Sequence, residues 1–336
     1  MTSTDVIKAT RGAAGLFDMS SRGRIEVRGE DRVRWLDGMI SGDVEALMQA
    51  PEGAGCYAVL LTHRGAIVAD MHVARLGEVL TLESLGSEIP RIQTALDKFI
   101  IADDVDLVDL TGSEVVLGLE GPRASAILKK AIGGEVPQAN DWRSVSIAGK
   151  AVLIGAFGFS GEEGYQLRIE GEGRAEVEAA LDEASEGGAV LRGDAESLDV
   201  MRIEAGIPAL GRELDEEVLP PEARLEHAIS TTKGCYVGQE IVARLRSRGK
   251  VNHLLVGLRL EELGSSASLP EEGTALSATG KTTGEITSVA NSPSCGAIAL
   301  GYVRREHTEP GTWVEFEGGR ASVVSLPFVE RNAEAS

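Results

Sequence analysis

The sequence predicts an α+β fold made of two related strand-and-helix halves followed by a smaller all-β unit. Three observations lead there: an internal echo in the first 185 residues, a change of texture after Lys250, and a composition able to support several cores. The chain has 336 residues, of which 43% are hydrophobic, enough for two or three domains.

The echo comes first. Residues 25–36 read Ile-Glu-Val-Arg-Gly-Glu-Asp-Arg-Val-Arg-Trp-Leu, and residues 117–128 read Leu-Gly-Leu-Glu-Gly-Pro-Arg-Ala-Ser-Ala-Ile-Leu. Each is an apolar strand, a glycine turn and a helix start with apolar residues at helical spacing. Gly29 matches Gly121, Trp35 matches Ile127, and Leu36 matches Leu128. A second pair follows in the same order. The strand Val79-Leu80-Thr81-Leu82-Glu83 leads to a helix around Ala95-Leu96-Asp97, and Tyr165-Gln166-Leu167-Arg168-Ile169 leads to one around Ala180-Leu181-Asp182. Two related halves place a shared ligand site naturally between them.

Beyond Lys250 the pattern turns to short strands: 251–260, then 285–290, 297–303, 313–316 and 321–326, divided by Gly, Pro and Asn turns. The polar stretch 261–273 reads as a connection. Such spacing fits a small barrel or a sandwich, which divides the chain into a module over 1–245 and an all-β unit over 250–330.

The net charge of −20 disfavours general nucleic-acid binding. No apolar run reaches the length of a membrane span, and Met1-Thr2-Ser3-Thr4-Asp5 lacks the basic-then-apolar pattern of a secretory signal. Three widely spaced cysteines, Cys56, Cys235 and Cys295, point away from a disulfide framework and toward a reducing, cytoplasmic setting. No Cys-x-x-Cys pair exists and the histidines are scattered, so no protein-only metal site is expected.

The run Lys233-Gly234-Cys235-Tyr236-Val237-Gly238-Gln239-Glu240 puts a cysteine between a lysine and a helix start, with Glu240 in the first helical turn. A cation and a helix N-terminus both favour thiolate. The alternative is a Gly-x-x-x-Gly turn holding a small buried thiol. In this run Gly234 and Gly238 are expected to serve backbone geometry, Tyr236 packing, and Gln239 and Glu240 the helix cap or the loop. Cys56 and Cys295 have no cation near them in sequence and read as inert. Arg244, Arg246, Arg248 and Lys250 follow as a basic cluster, either an anion site or a solvated face.

Several segments resemble the aminomethyltransferase of the glycine cleavage system, its T-protein. They are Gly15-Leu16-Phe17-Asp18-Met19-Ser20, Leu119-Glu120-Gly121-Pro122-Arg123, Phe159-Ser160-Gly161-Glu162-Glu163-Gly164-Tyr165, Arg202-Ile203-Glu204-Ala205-Gly206-Ile207-Pro208, Ile298-Ala299-Leu300-Gly301-Tyr302-Val303 and Leu326-Pro327-Phe328. The cysteine run resembles the signature of a related branch, the YgfZ folate-binding proteins, tied to iron–sulfur cluster maintenance. The resemblance implies a three-lobed fold: two interleaved α/β lobes, a C-terminal β-barrel and a central hole for tetrahydrofolate or a one-carbon derivative.

The same resemblance implies the site residues. Asp70, in Gly65-Ala66-Ile67-Val68-Ala69-Asp70, stands where T-proteins hold their catalytic aspartate, suited to orienting or protonating a pterin nitrogen. Gln166 stands where they keep a glutamate that grips the pterin; a glutamine offers one acceptor and one donor, a weaker grip. Leu198 replaces an arginine, a second departure. Glu163 and Tyr165 are implied pocket residues, Tyr165 either stacking on a heterocycle or packing in the core. Arg202 and Glu204 are implied beside the ligand or as a pair fixing the lobe junction. Three functions follow: a folate-binding accessory protein using Cys235 in iron–sulfur assembly or repair, with iron–sulfur enzymes or assembly proteins as partners and indirect effects on tRNA thiolation; a tetrahydrofolate-dependent aminomethyltransferase; or a non-catalytic scaffold.

Overall fold

The protein is described by a computed structural model covering residues 2–186, 190–262 and 268–330. The echo in the sequence is a repeated unit in space. Strand Arg22–Arg28 leads into helix Arg32–Met39, and strand Glu114–Glu120 leads into helix Ala124–Ile132. The second pair is strand Val79–Leu85 with helix Ile89–Asp97, and strand Gly164–Glu170 with helix Arg174–Ala184. Trp35 and Ile127 are buried at matching places, as are Leu36 and Leu128.

The turn between strand and helix explains the shared glycine. Gly29 has φ +100° and Gly121 φ +129°, a region closed to residues with a Cβ. A Cβ on Gly29 would lie 2.0 Å from the Asp104 carbonyl oxygen.

Each half builds one antiparallel-dominated sheet. The first has five strands in the order Gly55–Leu61, Ile67–Leu76, Val79–Leu85, Arg22–Arg28, Asp106–Asp109. The second has six: Leu191–Gly193, Gly15–Asp18, Glu114–Glu120, Gly164–Glu170, Lys150–Gly155 and Trp142–Ile147. The strand Gly15–Asp18 sits in the second sheet although the first sheet follows it in sequence, so the halves are interleaved. Each sheet has its own apolar core, and a small cluster of Ala74, Trp142 and Phe157 joins the two.

The C-terminal strands close into a six-stranded barrel, resolving the choice between barrel and sandwich. Strand Ala275–Ala278 belongs to it and had no signal in the sequence reading; at four residues, with Leu276 as its one large apolar side chain, it is too short beside a long polar connection to show a period. Helix Ser3–Gly12 was likewise unread. It is capped by Thr2, whose side chain accepts from the Asp5 amide while the Asp5 carboxylate accepts from the Thr2 amide.

The glycine argument has a direct test. Gly29→Ala is expected to cost about 3 kcal/mol in urea unfolding, the cost of positive φ plus displaced backbone. Gly112→Ala has φ +79° but open space around its Cβ, and is expected to cost only about 1 kcal/mol.

Candidate functional site

Two cavities meet at Asp70, on strand Ile67–Leu76. One, about 240 Å³, is lined among others by Met19, Arg22, Asp70, Phe159, Leu198 and Arg202. The other, about 350 Å³, includes Tyr57, Asp70, His72, Phe157, Phe159 and His227 in its wall. Such volumes lie around the lower end of the range for small-molecule sites.

Asp70 lies deep in the protein but keeps part of its surface open to the cavities. Burial raises its pKa, and the nearby Arg22 guanidinium and a 2.9 Å bond from the Tyr57 hydroxyl only partly oppose this. Arg22 itself is fixed by Glu83, with Nε and Nη2 donating at 2.6 and 2.9 Å. Its guanidinium also lies over the Phe159 ring at 4.6 Å.

The larger cavity has aromatic walls. His72 stacks on Phe157 at 3.6 Å, Tyr57 is 5.0 Å from His72, and His227 stacks on Tyr57 at 5.6 Å. Burial pulls His72 down to a pKa of about 3, so the ring is neutral, and its buried Nδ1 has no hydrogen-bond partner. Gln166 is fully buried with neither amide atom partnered. It and Met19 fill the space above Gly118, so it lies beside a residue of the cavity wall. Flat rings, a carboxyl whose pKa burial raises and orphaned polar atoms fit a planar heterocycle with ring donors and acceptors.

The other expected site residues divide. Leu198 lines the smaller cavity. Tyr165 and Glu163 are not in the walls of the two cavities at Asp70 but line a third, which shares Phe157 and Gly158 with the larger one. Side chains alternate along a strand, and Tyr165 falls on the helix-covered side with Leu167 and Ile169. Its hydroxyl donates to Glu163 at 2.9 Å. Arg202 touches the smaller cavity but its bonds go to Asp199, the Ile207 carbonyl, Glu213 and Ser288 of the barrel. Glu204, fully buried, accepts from Arg11 at 2.8 Å and from the barrel's Ser292 at 2.5 Å. The two therefore fix the junction between the second half and the barrel.

The cysteine run also differs from expectation. Helix Gln239–Arg248 starts where predicted, after Gly238 at φ +82°. Cys235 is exposed but lines none of the four described cavities. Lys233 turns away from it. Its ammonium donates to the carbonyls of Asp37, Ile40 and Gly42 and pairs with the Asp37 carboxylate at 3.1 Å. The sequence neighbour of Cys235 instead acts on Cys56, whose thiol burial pushes up to about 11 while Lys233 partly opposes the shift. Cys56 therefore has the cation nearby that its sequence neighbours do not show.

Gln239 donates to the Gly234 carbonyl at 3.2 Å and ties the loop, Tyr236 packs in the first core, and Glu240 is exposed in the first helical turn. Gly238 is required by its backbone, since a Cβ there would lie 2.6 Å from the Thr62 oxygen; Gly234 has open space and no such demand. Arg244 is exposed. Arg246 and Lys250 join Arg305 at a groove of about 580 Å³, and of Arg248 only the backbone is described.

Two interleaved halves with a carboxylate in the cavities where their walls meet, followed by a closed barrel, define a class, and comparison with known proteins agrees. Residues 2–233 match the GCVT N-terminal domain, and residues 254–330 match the glycine cleavage T-protein C-terminal barrel domain. The chain belongs to this aminomethyltransferase family. It is 31% identical to an aminomethyltransferase of Rubrobacter xylanophilus, covering 96% of this chain and 85% of that one. It is 28% identical to one of Bacillus subtilis, covering 96% and 90%. The crystal structure of glycine cleavage system aminomethyltransferase T from Bartonella henselae superposes with a TM-score of 0.83 at 26% identity, covering 98% and 90%. The fold is thus aminomethyltransferase-like, with mixed α/β lobes and a closed barrel.

The exposure difference between the thiols has a measurable consequence. Under native conditions Cys235 is expected to be alkylated well before Cys56, by at least about tenfold in rate, because the reactive thiolate is scarce at a buried, raised-pKa sulfur. Mass spectrometry of partially labelled protein reads the order.

Proposed function

We propose that this chain binds tetrahydrofolate or a one-carbon derivative in the paired cavities at Asp70 and transfers a one-carbon unit there, as an aminomethyltransferase. The observation that carries this is Asp70 itself: a raised-pKa carboxyl at the meeting of two cavities, in a family whose relatives are named aminomethyltransferases. Bound folate would supply the nitrogen that accepts the carbon. The chain's part is to orient it between aromatic walls and to hold a proton at the Asp70 carboxyl, with Tyr57 fixing that carboxyl through its hydroxyl. Gln166 in place of a glutamate supports a looser grip on the ring than the T-protein pattern implies.

Asp70→Asn separates function from folding. A carboxyl with a raised folded pKa binds its proton more tightly in the folded than in the unfolded chain. Its contribution to stability therefore falls as pH rises from the unfolded value, 3.8, through the folded one. Burial penalises its ionised form and asparagine carries no such penalty, so Asp70→Asn is expected to unfold at the same or slightly higher temperature. One-carbon transfer from an aminomethyl-lipoyl carrier is expected to drop by about 10²–10⁴. Retained transfer would reject Asp70 as the catalytic residue.

A second reading is favoured by the exposed Cys235 within the YgfZ-like run. In it, folate binding supports iron–sulfur enzymes or assembly proteins, in a reducing cytoplasm that suits three free thiols. A lone thiolate cannot hold a cluster, which normally takes four cysteines, so any cluster contact needs a partner. Cys235→Ser is expected to keep its unfolding midpoint within about 0.5 kcal/mol, as surface substitutions do. Loss of iron–sulfur enzyme activity in cells carrying that variant, with folate binding intact, would select this reading; full complementation would reject it.

A further inference from the structure

The segment from Phe157 to Glu163 joins strands Lys150–Gly155 and Gly164–Glu170 and supplies walls to the site. Phe159 lines both cavities at Asp70, and Phe157 lines the larger. The two rings meet edge to face at 6.1 Å. This segment is outside the sheet ladder, so its backbone donors need other acceptors.

Glu120 provides them. It is fully buried at the end of strand Glu114–Glu120. Its carboxylate accepts from the Phe159 amide at 3.1 Å, the Ser160 amide at 3.3 Å and the Ser160 hydroxyl at 2.7 Å. Two glycines make the space: a Cβ on Gly158 or Gly164 would lie 2.4 or 2.7 Å from its Oε2.

We propose that Glu120 is a positioning residue for the folate site: by gathering the donors of Phe159 and Ser160 it fixes Phe157 and Phe159 as cavity walls, and ligand affinity follows its ionisation. The inference rests on the folate reading given above. An ionised carboxylate accepts from all three donors. A protonated one has a hydrogen to donate, so at least one of the three bonds is lost and the rest lose their charge assistance. The change falls near neutral pH. Burial pushes Glu120 up to about 7, held back by the Ser160 hydroxyl, the two amides and Arg11.

The other charged groups around it are few. Arg11, on the first helix, pairs with Glu162 of the same segment and with Glu204. Glu163 takes the Tyr165 hydroxyl, and its carbonyl accepts from the Gly121 amide. Beyond Phe157 stands His72, kept neutral by burial, and across the cavity stands Asp70, raised by burial.

The test is calorimetric titration with tetrahydrofolate between about pH 6 and 8.5, on the full chain and its Glu120→Gln, Ser160→Ala and Asp70→Asn variants. The wild type is expected to lose roughly tenfold in affinity as pH falls through about 7, the worth of one charge-assisted bond. Glu120→Gln should bind weakly with a flat profile. Ser160→Ala, which removes a bond favouring ionisation, should move the midpoint to higher pH. Asp70→Asn should keep the midpoint, separating the two carboxyls. The same midpoint in wild type, Glu120→Gln and Ser160→Ala would overturn the proposal. Amide hydrogen exchange on the ligand-free protein decides the same point independently. Protection at Phe159 and Ser160, corrected for intrinsic rate, should fall with pH through about 7 in wild type and be pH-independent in Glu120→Gln. Unchanged protection across that range in wild type would also overturn it. Absence of folate binding at every pH would sink the folate reading, while the exchange result still decides the role of Glu120 in holding the segment.

Discussion

The two sheets meet through buried charge, and the site exists because they do. Arg22 on the first sheet forks onto Glu83, and Arg168 on the second reaches both Glu83 at 3.4 Å and Glu114 at 3.2 Å. Arg24 closes the chain with bonds to Glu114 at 2.5 and 3.2 Å. Glu83 is fully buried and Arg168 is 2% exposed. Removing one partner of such a network costs about 3–5 kcal/mol, because it strands a buried charge. Burial alone would push Glu83 up, but the Arg22 and Arg168 guanidiniums together reverse this and hold it below the usual range. The contribution of Glu83 is therefore present above its unfolded pKa and is lost as pH falls through the lower, folded value. An apolar seam of equal size would pack densely. A seam of forked ion pairs keeps polar walls, and Arg22 belongs both to the seam and to the wall of the smaller cavity.

Strand parity decides what enters that seam. On Gly164–Glu170, residues of one parity, Tyr165, Leu167 and Ile169, pack with the helices of their own half. Residues of the other parity, Gln166 and Arg168, face the opposite side, toward the other half. The same holds on Glu114–Glu120: Leu117 and Leu119 go to the core, while Glu114 and Glu120 go to the seam and the loop it supports. A single-residue shift in either strand would exchange these roles completely, which is why a core tyrosine and a candidate ligand-facing glutamine are adjacent in sequence.

The sequence shows the scaffold better than the site, for a physical reason. Repeated local units leave local marks: Gly29 and Gly121 recur because the same strand-to-helix turn needs positive φ twice. Barrel strands alternate and are divided by turn residues, so most were legible; Ala275–Ala278, four residues with one large apolar side chain, was too short to show it. Asp70 was reachable through family resemblance. Tyr57, His72, Arg22, Phe157 and Phe159 carry no local signal of a shared site, since they converge from three strands and one loop only after both sheets have formed. Glu120 was quoted as part of a motif, but nothing in Leu-Glu-Gly-Pro shows that its carboxylate would be enclosed between Gly158 and Gly164.

The cysteine run shows how closeness along the chain can mislead. Lys233 and Cys235 are two residues apart, yet the lysine is buried and the thiol exposed. The ammonium sits among carbonyls just past the end of helix Arg32–Met39, where the helix dipole favours a cation. Three carbonyls and the Asp37 carboxylate satisfy it, so the ammonium is engaged by the first half rather than by the sulfur. Lys233 thus anchors the loop to the first half, and Gly238 lets the following helix start against Thr62. The loop is held at both ends by groups other than the thiol. Cys235 is thus exposed to whatever approaches from outside the chain, and it is absent from the walls of both cavities at Asp70.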